Sequence, residues 1–194
     1  CYPVWDTAHA RAASTEAKKE AHAKAQKRLD AKNRANRLER LVNANFGAGD
    51  IMLTCEYPAG RQPGSDEQAK RDIRNMMNRV KRMRSRRGLP ALRYIYITER
   101  TESAAYGVRW HHHVIMSGDG LTREEIEEKW TKRHGGFCNT RRAQPTERHL
   151  SGFARYLTIS KLEREGKNPQ QKAVGRSWGS SIGLKEPAET VADK

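Results

Sequence analysis

The chain has 194 residues, 36% of them hydrophobic, with a formal charge of +15 at pH 7 and a pI of about 10.1. That length supports one domain, or one domain with an arm, around a real core, and that charge points to a polyanionic partner, nucleic acid first. No apolar run approaches membrane-spanning length. Cys1, Cys55 and Cys138 are far apart without a CxxC pair, which argues against both a disulfide framework and a thiolate zinc site and fits a reducing cytoplasm.

From about Thr7 to Leu41 the sequence is rich in Ala, Lys, Arg and Glu and nearly free of Gly and Pro. This predicts a helical arm, with a solvated tail and a DNA-contacting arm both open as readings. Only Leu38, Leu41 and Val42 are suited to docking on a core. We place a basic arm at residues 1–44 and a folded domain at 45–194. The chain opens at Cys1 without methionine or a signal-peptide hydrophobic segment, which is compatible with a cut from a longer protein.

Asp50 to Tyr57 is a short apolar run bounded by turn residues and predicts a first strand. Ser65-Asp66-Glu67-Gln68 supplies a capping box for a long helix. That helix carries Ala69, Ile73, Met76, Met77, Val80 and Met83 on one stripe and stops before Gly88 and Pro90. Its outer face, including Arg74, Lys81 and Arg82, is dense enough in cations to suggest contacts with a phosphate backbone.

Arg93 to Glu99 and Val108 to Met116 read as two further strands joined as a hairpin. Thr122 and Glu125 form a second capping box, Leu121 can staple onto Ile126, and Gly135-Gly136 ends a helix carrying Trp130. A strand from Phe137 to Ala143 follows, then a last helix from about Thr146 to Glu165 with Leu150, Phe153, Ala154 and Leu157 inward. His134 and His149 read as surface residues, the latter on that last helix. The segment from Gly166 onward predicts loops anchored by Trp178, Ile182 and Leu184. This order predicts an α+β fold, a mainly antiparallel sheet packed by helices.

The chemistry concentrates in Trp110-His111-His112-His113-Val114-Ile115-Met116. Strand alternation puts His111 and His113 on one face and Trp110, His112, Val114 and Met116 on the other. Antiparallel pairing brings Glu99 towards the histidines, with Glu102 open as an alternative carboxylate. Two imidazoles and one carboxylate leave positions on a divalent ion for phosphate oxygens. Tyr156 offers a nucleophile, which needs a polarised phosphate, a cation or a base because a phenol titrates near pH 10. Arg155 and Lys161 are the nearest cations in sequence. Trp110, Tyr94, Tyr96 and Trp178 are candidates for stacking on bases, with core packing the competing role.

The set Asp50-Ile51-Met52-Leu53-Thr54, Glu99, Trp110 to Met116 and Gly152-Phe153-Ala154-Arg155-Tyr156-Leu157-Thr158 resembles the HUH endonucleases. Within them it is similar to the rolling-circle replication initiators of bacterial phages and plasmids. The resemblance implies an enzyme that nicks single-stranded origin DNA through a 5′-phosphotyrosine intermediate. It implies His111, His113 and Glu99 as ligands of Mg²⁺ or Mn²⁺, Tyr156 as nucleophile and Lys161 as a catalytic cation, with Arg74, Lys81, Arg82 and Arg155 against the DNA. Two positions depart from the family pattern: His112 stands where an apolar residue is usual, and Ile159 where lysine often follows the tyrosine. No helicase-like phosphate loop is present, so a host helicase and polymerase are the implied partners. The alternative from a different class is a non-catalytic, basic nucleic-acid-binding protein with structural histidines.

Overall fold

The computed structural model describes residues 7–103, 107–147, 149–154, 171–173 and 178–187. The chain divides into two compact units, Cys1–Arg37 and Leu38–Lys194. Helix α1 spans Thr7–Asn45. Residues 15–29 are all exposed, since apolar residues do not recur there at helical spacing, and support is local: Gln26 Nε2 donates to Asp30 Oδ1 at 2.9 Å. In the second unit, the end of α1 contributes Leu38, Leu41 and Val42 to a buried cluster.

The second unit is built on a six-stranded sheet. Its strands are β1 (Ile51–Glu56), β2 (Tyr94–Ser103), β3 (Gly107–Met116), β4 (Cys138–Arg142), β5 (Gln171–Ala173) and β6 (Gly179–Ser180). Five run in the order β4-β1-β3-β2-β5, β6 also pairs with β2, and every pairing is antiparallel. Helices α2 (Asp66–Arg86) and α3 (Arg123–His134) cover one face. There Ile73, Met76, Met77, Val80, Ile126 and Trp130 pack on Leu53, Cys55, Trp110, Val114 and Met116. The other face packs Ile95, Ile97 and Ile115 with the end of α1, Leu150 and Ala154. The chain thus has the α+β architecture expected from its pattern.

The helix starts follow from local chemistry. Thr122 and Glu125 form a complete capping box, and Gly135 closes α3 in the left-handed conformation at φ 69°. At α2 the box is only half made. Ser65 Oγ accepts the Gln68 N–H at 3.2 Å, but the Gln68 side chain accepts from Gly64 N rather than from Ser65.

Three expectations need correction. The last helix does not start at Thr146: Thr146 and His149 close a turn through reciprocal backbone hydrogen bonds of 3.0 and 2.8 Å, His149 has φ 50°, and helix is found from residue 151 to 154. His134 is half-buried, because its ring packs on Trp130 with centroids 4.2 Å apart and on Tyr57 at 5.5 Å. Ile182 is fully exposed in a turn beside Gly183 and anchors nothing, whereas Trp178 and Leu184 do pack on the core.

Candidate metal centre

Alternation along β3 sorts its side chains. Trp110, Val114 and Met116 enter the cluster beneath α2 and α3, and Ile115 enters the opposite one. His111 and His113 share the face of Ile115. Register places His111 opposite Glu99 of β2 and Glu56 of β1, and His113 opposite Ile97 and Thr54. Glu99 Oε2 lies 2.9 Å from His111 Nε2 and 3.8 Å from His113 Nε2. All three side chains are largely shielded from water.

The three ligand atoms lie within 4.8 Å of one another, the one such group of His, Cys, Asp or Glu among the described residues. Ions such as Mg²⁺ bind oxygen at about 2.1 Å, which puts neighbouring ligand atoms about 3 Å apart, close to the Glu99–His111 spacing. Two imidazoles and a carboxylate suit a borderline divalent ion and leave positions open for phosphate oxygens. The group can therefore hold a metal. Thr54 Oγ1, 3.3 Å from His113 Nδ1, steadies that ring so that Nε2 faces Glu99.

Glu102 drops out as the alternative carboxylate. It is three residues beyond Glu99, so alternation turns it to the opposite face, where it sits 3.7 Å from Arg100 Nη2.

His112 is fully buried on the opposite face from the cluster. Its Nδ1 lies 2.9 Å from Thr98 Oγ1 and its Nε2 lies 3.1 Å from Tyr57 Oη, which itself donates to Asp72 Oδ2 at 3.2 Å. The phenol has one hydrogen and gives it to the carboxylate, so His112 Nε2–H donates to Tyr57 and Nδ1 accepts from Thr98. Burial, then the positive potential of His111, His113 and His134, holds the His112 pKa well below its ordinary value. A satisfied, neutral histidine thus fills the usually apolar position.

On the metal face lies a cavity of about 440 Å³, lined by Thr54, His113, Asn139, Arg141, His149 and Phe153 among others. Asn139 is in register with Thr54. Phe137 precedes β4 and accepts from Glu56 N at 2.8 Å through its backbone oxygen; its side chain is 60% exposed. Cys138 is buried beneath α2 and α3, so alternation turns Phe137 and Asn139 towards the histidine face. These residues escape sequence reading because nothing in the sequence gives the β1–β4 register.

The basic face of α2 is not uniform. Arg74 and Lys81 are exposed on one flank, about 20° apart in helical projection, whereas Arg82 lies about 100° from Lys81 on the flank facing α3. Arg84 points inward: its guanidinium donates to Pro90 O, Asp119 O and Asp119 Oδ2. Arg155, Tyr156 and Lys161 lie outside the described residues. The approach to them is described: Asn43 Oδ1 accepts the Leu150 N–H at 3.0 Å and Asn43 Nδ2 donates to Ser151 Oγ at 3.2 Å.

Fold and site together define an α+β protein with an HUH-type histidine pair and carboxylate on an antiparallel sheet. A family model described as a replication-associated protein of the ORF2 type matches residues 50–161, more than half of the chain, and the chain belongs to that family. No curated protein and no solved structure gives a match.

Proposed function

We propose that this chain is a metal-dependent, single-tyrosine endonuclease and strand transferase that nicks a single-stranded replication origin to start rolling-circle DNA replication. The observation that carries the reading is the convergence of Glu99, His111 and His113 on one sheet face, in a chain whose family is replication-associated. Net charge of +15 supports a DNA partner. A host helicase and polymerase would supply unwinding and synthesis.

In this reading Glu99, His111 and His113 hold Mg²⁺ or Mn²⁺, which when bound polarises the scissile phosphate. The Tyr156 oxygen attacks phosphorus and gives up its proton. A bond forms between that oxygen and the 5′ phosphate, the bond to the 3′ oxygen breaks, and the 3′ oxygen leaves protonated as a free hydroxyl. A later attack by a 3′ hydroxyl reverses the step and restores the tyrosine. Lys161 and Arg155 supply positive charge near the nucleophile. Arg74, Lys81 and Arg82 meet the DNA backbone, and the cavity beside His113 takes a nucleotide flanking the cleaved bond.

The test is a denaturing gel of the protein incubated with single-stranded origin DNA and Mn²⁺, wild type beside Tyr156→Phe. A slow-migrating adduct in wild type alone is the expected result. No adduct in either protein, with binding intact on a native gel, would favour the non-catalytic alternative with structural histidines.

A further inference from the structure

A second concave site lies on the far side of the sheet from the histidines. Between α2 and α3 a hollow of about 380 Å³ is lined by Arg79, Arg82, Met83, Arg86, Arg87 and Lys129. Both helices cover the face that buries Trp110, Val114 and Met116, whereas His111 and His113 point from the other face. A nucleotide at the metal centre therefore cannot also occupy this hollow unless its strand rounds an edge of the sheet.

The charges of the hollow are only partly balanced. Arg87 pairs with Glu125, and Lys129 Nζ lies 3.6 Å from Glu128 Oε2. Among the described residues no carboxylate lies within ion-pair distance of Arg79, Arg82 or Arg86. Arg79 Nη2 donates to the Lys129 carbonyl at 3.0 Å, while its buried Nε has no hydrogen-bond partner among the described residues. Burial, then the neighbouring charges of Arg133 and Arg82, works against the charged form of Arg79. An anion in the hollow would relieve that repulsion and receive the unused donor. Guanidinium groups suit phosphate because their donors form a planar fork.

We propose that this hollow is a second DNA site, which grips the phosphodiester backbone of a segment separate from the strand at the metal centre. The inference rests on the DNA-binding part of the function proposed above, but not on its nicking chemistry. It assigns Arg82 and Arg86 to the second segment and leaves the metal face to read the cleaved strand. The protein would thereby hold two stretches of one origin at once.

The test uses the full chain without metal and two fluorescent probes read by anisotropy. One is a single-stranded oligonucleotide of about 10 nucleotides, within the reach of one binding groove; the other is the same strand extended by a duplex flank. The variant is Arg82→Glu/Arg86→Glu, which keeps Arg79 on Lys129 and Arg87 on Glu125.

Wild type should bind the extended probe more tightly. The variant should lose most of that advantage, on the order of 10-fold or more, and its log–log salt slope should flatten by about 2. Affinity for the short probe should change by less than about 3-fold, since distant surface charges are screened. Equal losses on both probes, no loss on either, or no wild-type preference for the extended probe would each overturn the proposal. Because binding is read without metal, a protein that forms no tyrosine adduct can still pass this test, and one that forms the adduct can still fail it.

Discussion

Thr54 Oγ1 lies 3.3 Å from His113 Nδ1, on the neighbouring strand and in direct register. For Nε2 to offer a lone pair to a metal, the ring hydrogen must sit on Nδ1, and the threonine hydroxyl is placed to accept it. Thr54→Val keeps the shape and removes the acceptor. Mn²⁺ affinity, measured calorimetrically, should fall by about 10-fold with the fold intact. Unchanged affinity would mean that Thr54 does not set the tautomer.

Strand alternation makes a sharper comparison. Glu99→Gln should abolish measurable Mn²⁺ binding, because amide oxygen is a poorer and uncharged ligand. Glu102→Gln, on the opposite face beside Arg100, should leave binding within about 2-fold, as expected of an exposed charge screened by salt. Equal losses in the two variants would contradict the face assignment.

How far the sequence foretells this arrangement depends on the kind of information each residue needs. The period-2 pattern of β3 separates His111 and His113 from His112 without any tertiary knowledge, and the short hairpin connection makes the Glu99–His111 pairing foreseeable. Residues that come together by non-sequential pairing are hidden. Thr54 and Asn139 reach His113 only because β1 lies between β3 and β4, and no local signal encodes that order. The turn at 146–149 misleads for another reason: Leu150 and Phe153 continue a helical stripe backwards, but the Thr146–His149 backbone bonds and the Asn43 cap delay the helix to residue 151. Arg84 likewise reads as one more surface cation, and its burial depends on carbonyls supplied by Pro90 and Asp119.

Arg84 gives a stability prediction. Its side chain is 1% exposed and serves three acceptors. Arg84→Ala should cost about 3 kcal/mol in urea unfolding, mostly through the stranded carbonyls, since Asp119 is largely exposed and its share is screened. The hydrogen bond from Arg84 holds the Asp119 carboxyl below its ordinary pKa. That contribution is fully present above the unfolded value of about 3.9 and is lost as pH falls through the folded one. Asp119→Asn should therefore flatten the acid limb of the stability curve. A limb identical to wild type would show that the pair contributes nothing.

Phe137 and Asn139 test the nucleotide cavity. Both face the histidine side of the sheet at its β4 edge, with Phe137 exposed and Asn139 on the cavity wall. Phe137→Ala should weaken single-stranded oligonucleotide binding by about 10-fold whatever the sequence, because stacking is indifferent to base identity. Asn139→Ala should instead reduce discrimination between origin and scrambled oligonucleotides, because an amide reads hydrogen-bonding edges. Identical effects of the two substitutions on both oligonucleotides would remove the distinction between a stacking and a reading residue.

Asn43 tests whether the end of α1 positions the chemistry. Its side chain caps the stretch that begins at residue 151, accepting from Leu150 N at 3.0 Å and donating to Ser151 Oγ at 3.2 Å. Tyr156 follows a few residues later in the sequence. Asn43→Ala should cost about 1 kcal/mol of stability, the usual value of a lost cap. It touches neither the metal ligands nor the cavity lining, so Mn²⁺ affinity and the KM for oligonucleotide should stay at wild-type values. The nicking rate constant should fall, because small misplacements of a reacting group cost disproportionately in rate. Asn43→Asp keeps the acceptor for Leu150 and should recover most of the lost rate. A rate that tracks the loss of folded protein, with no recovery in the aspartate variant, would leave Asn43 a purely structural cap.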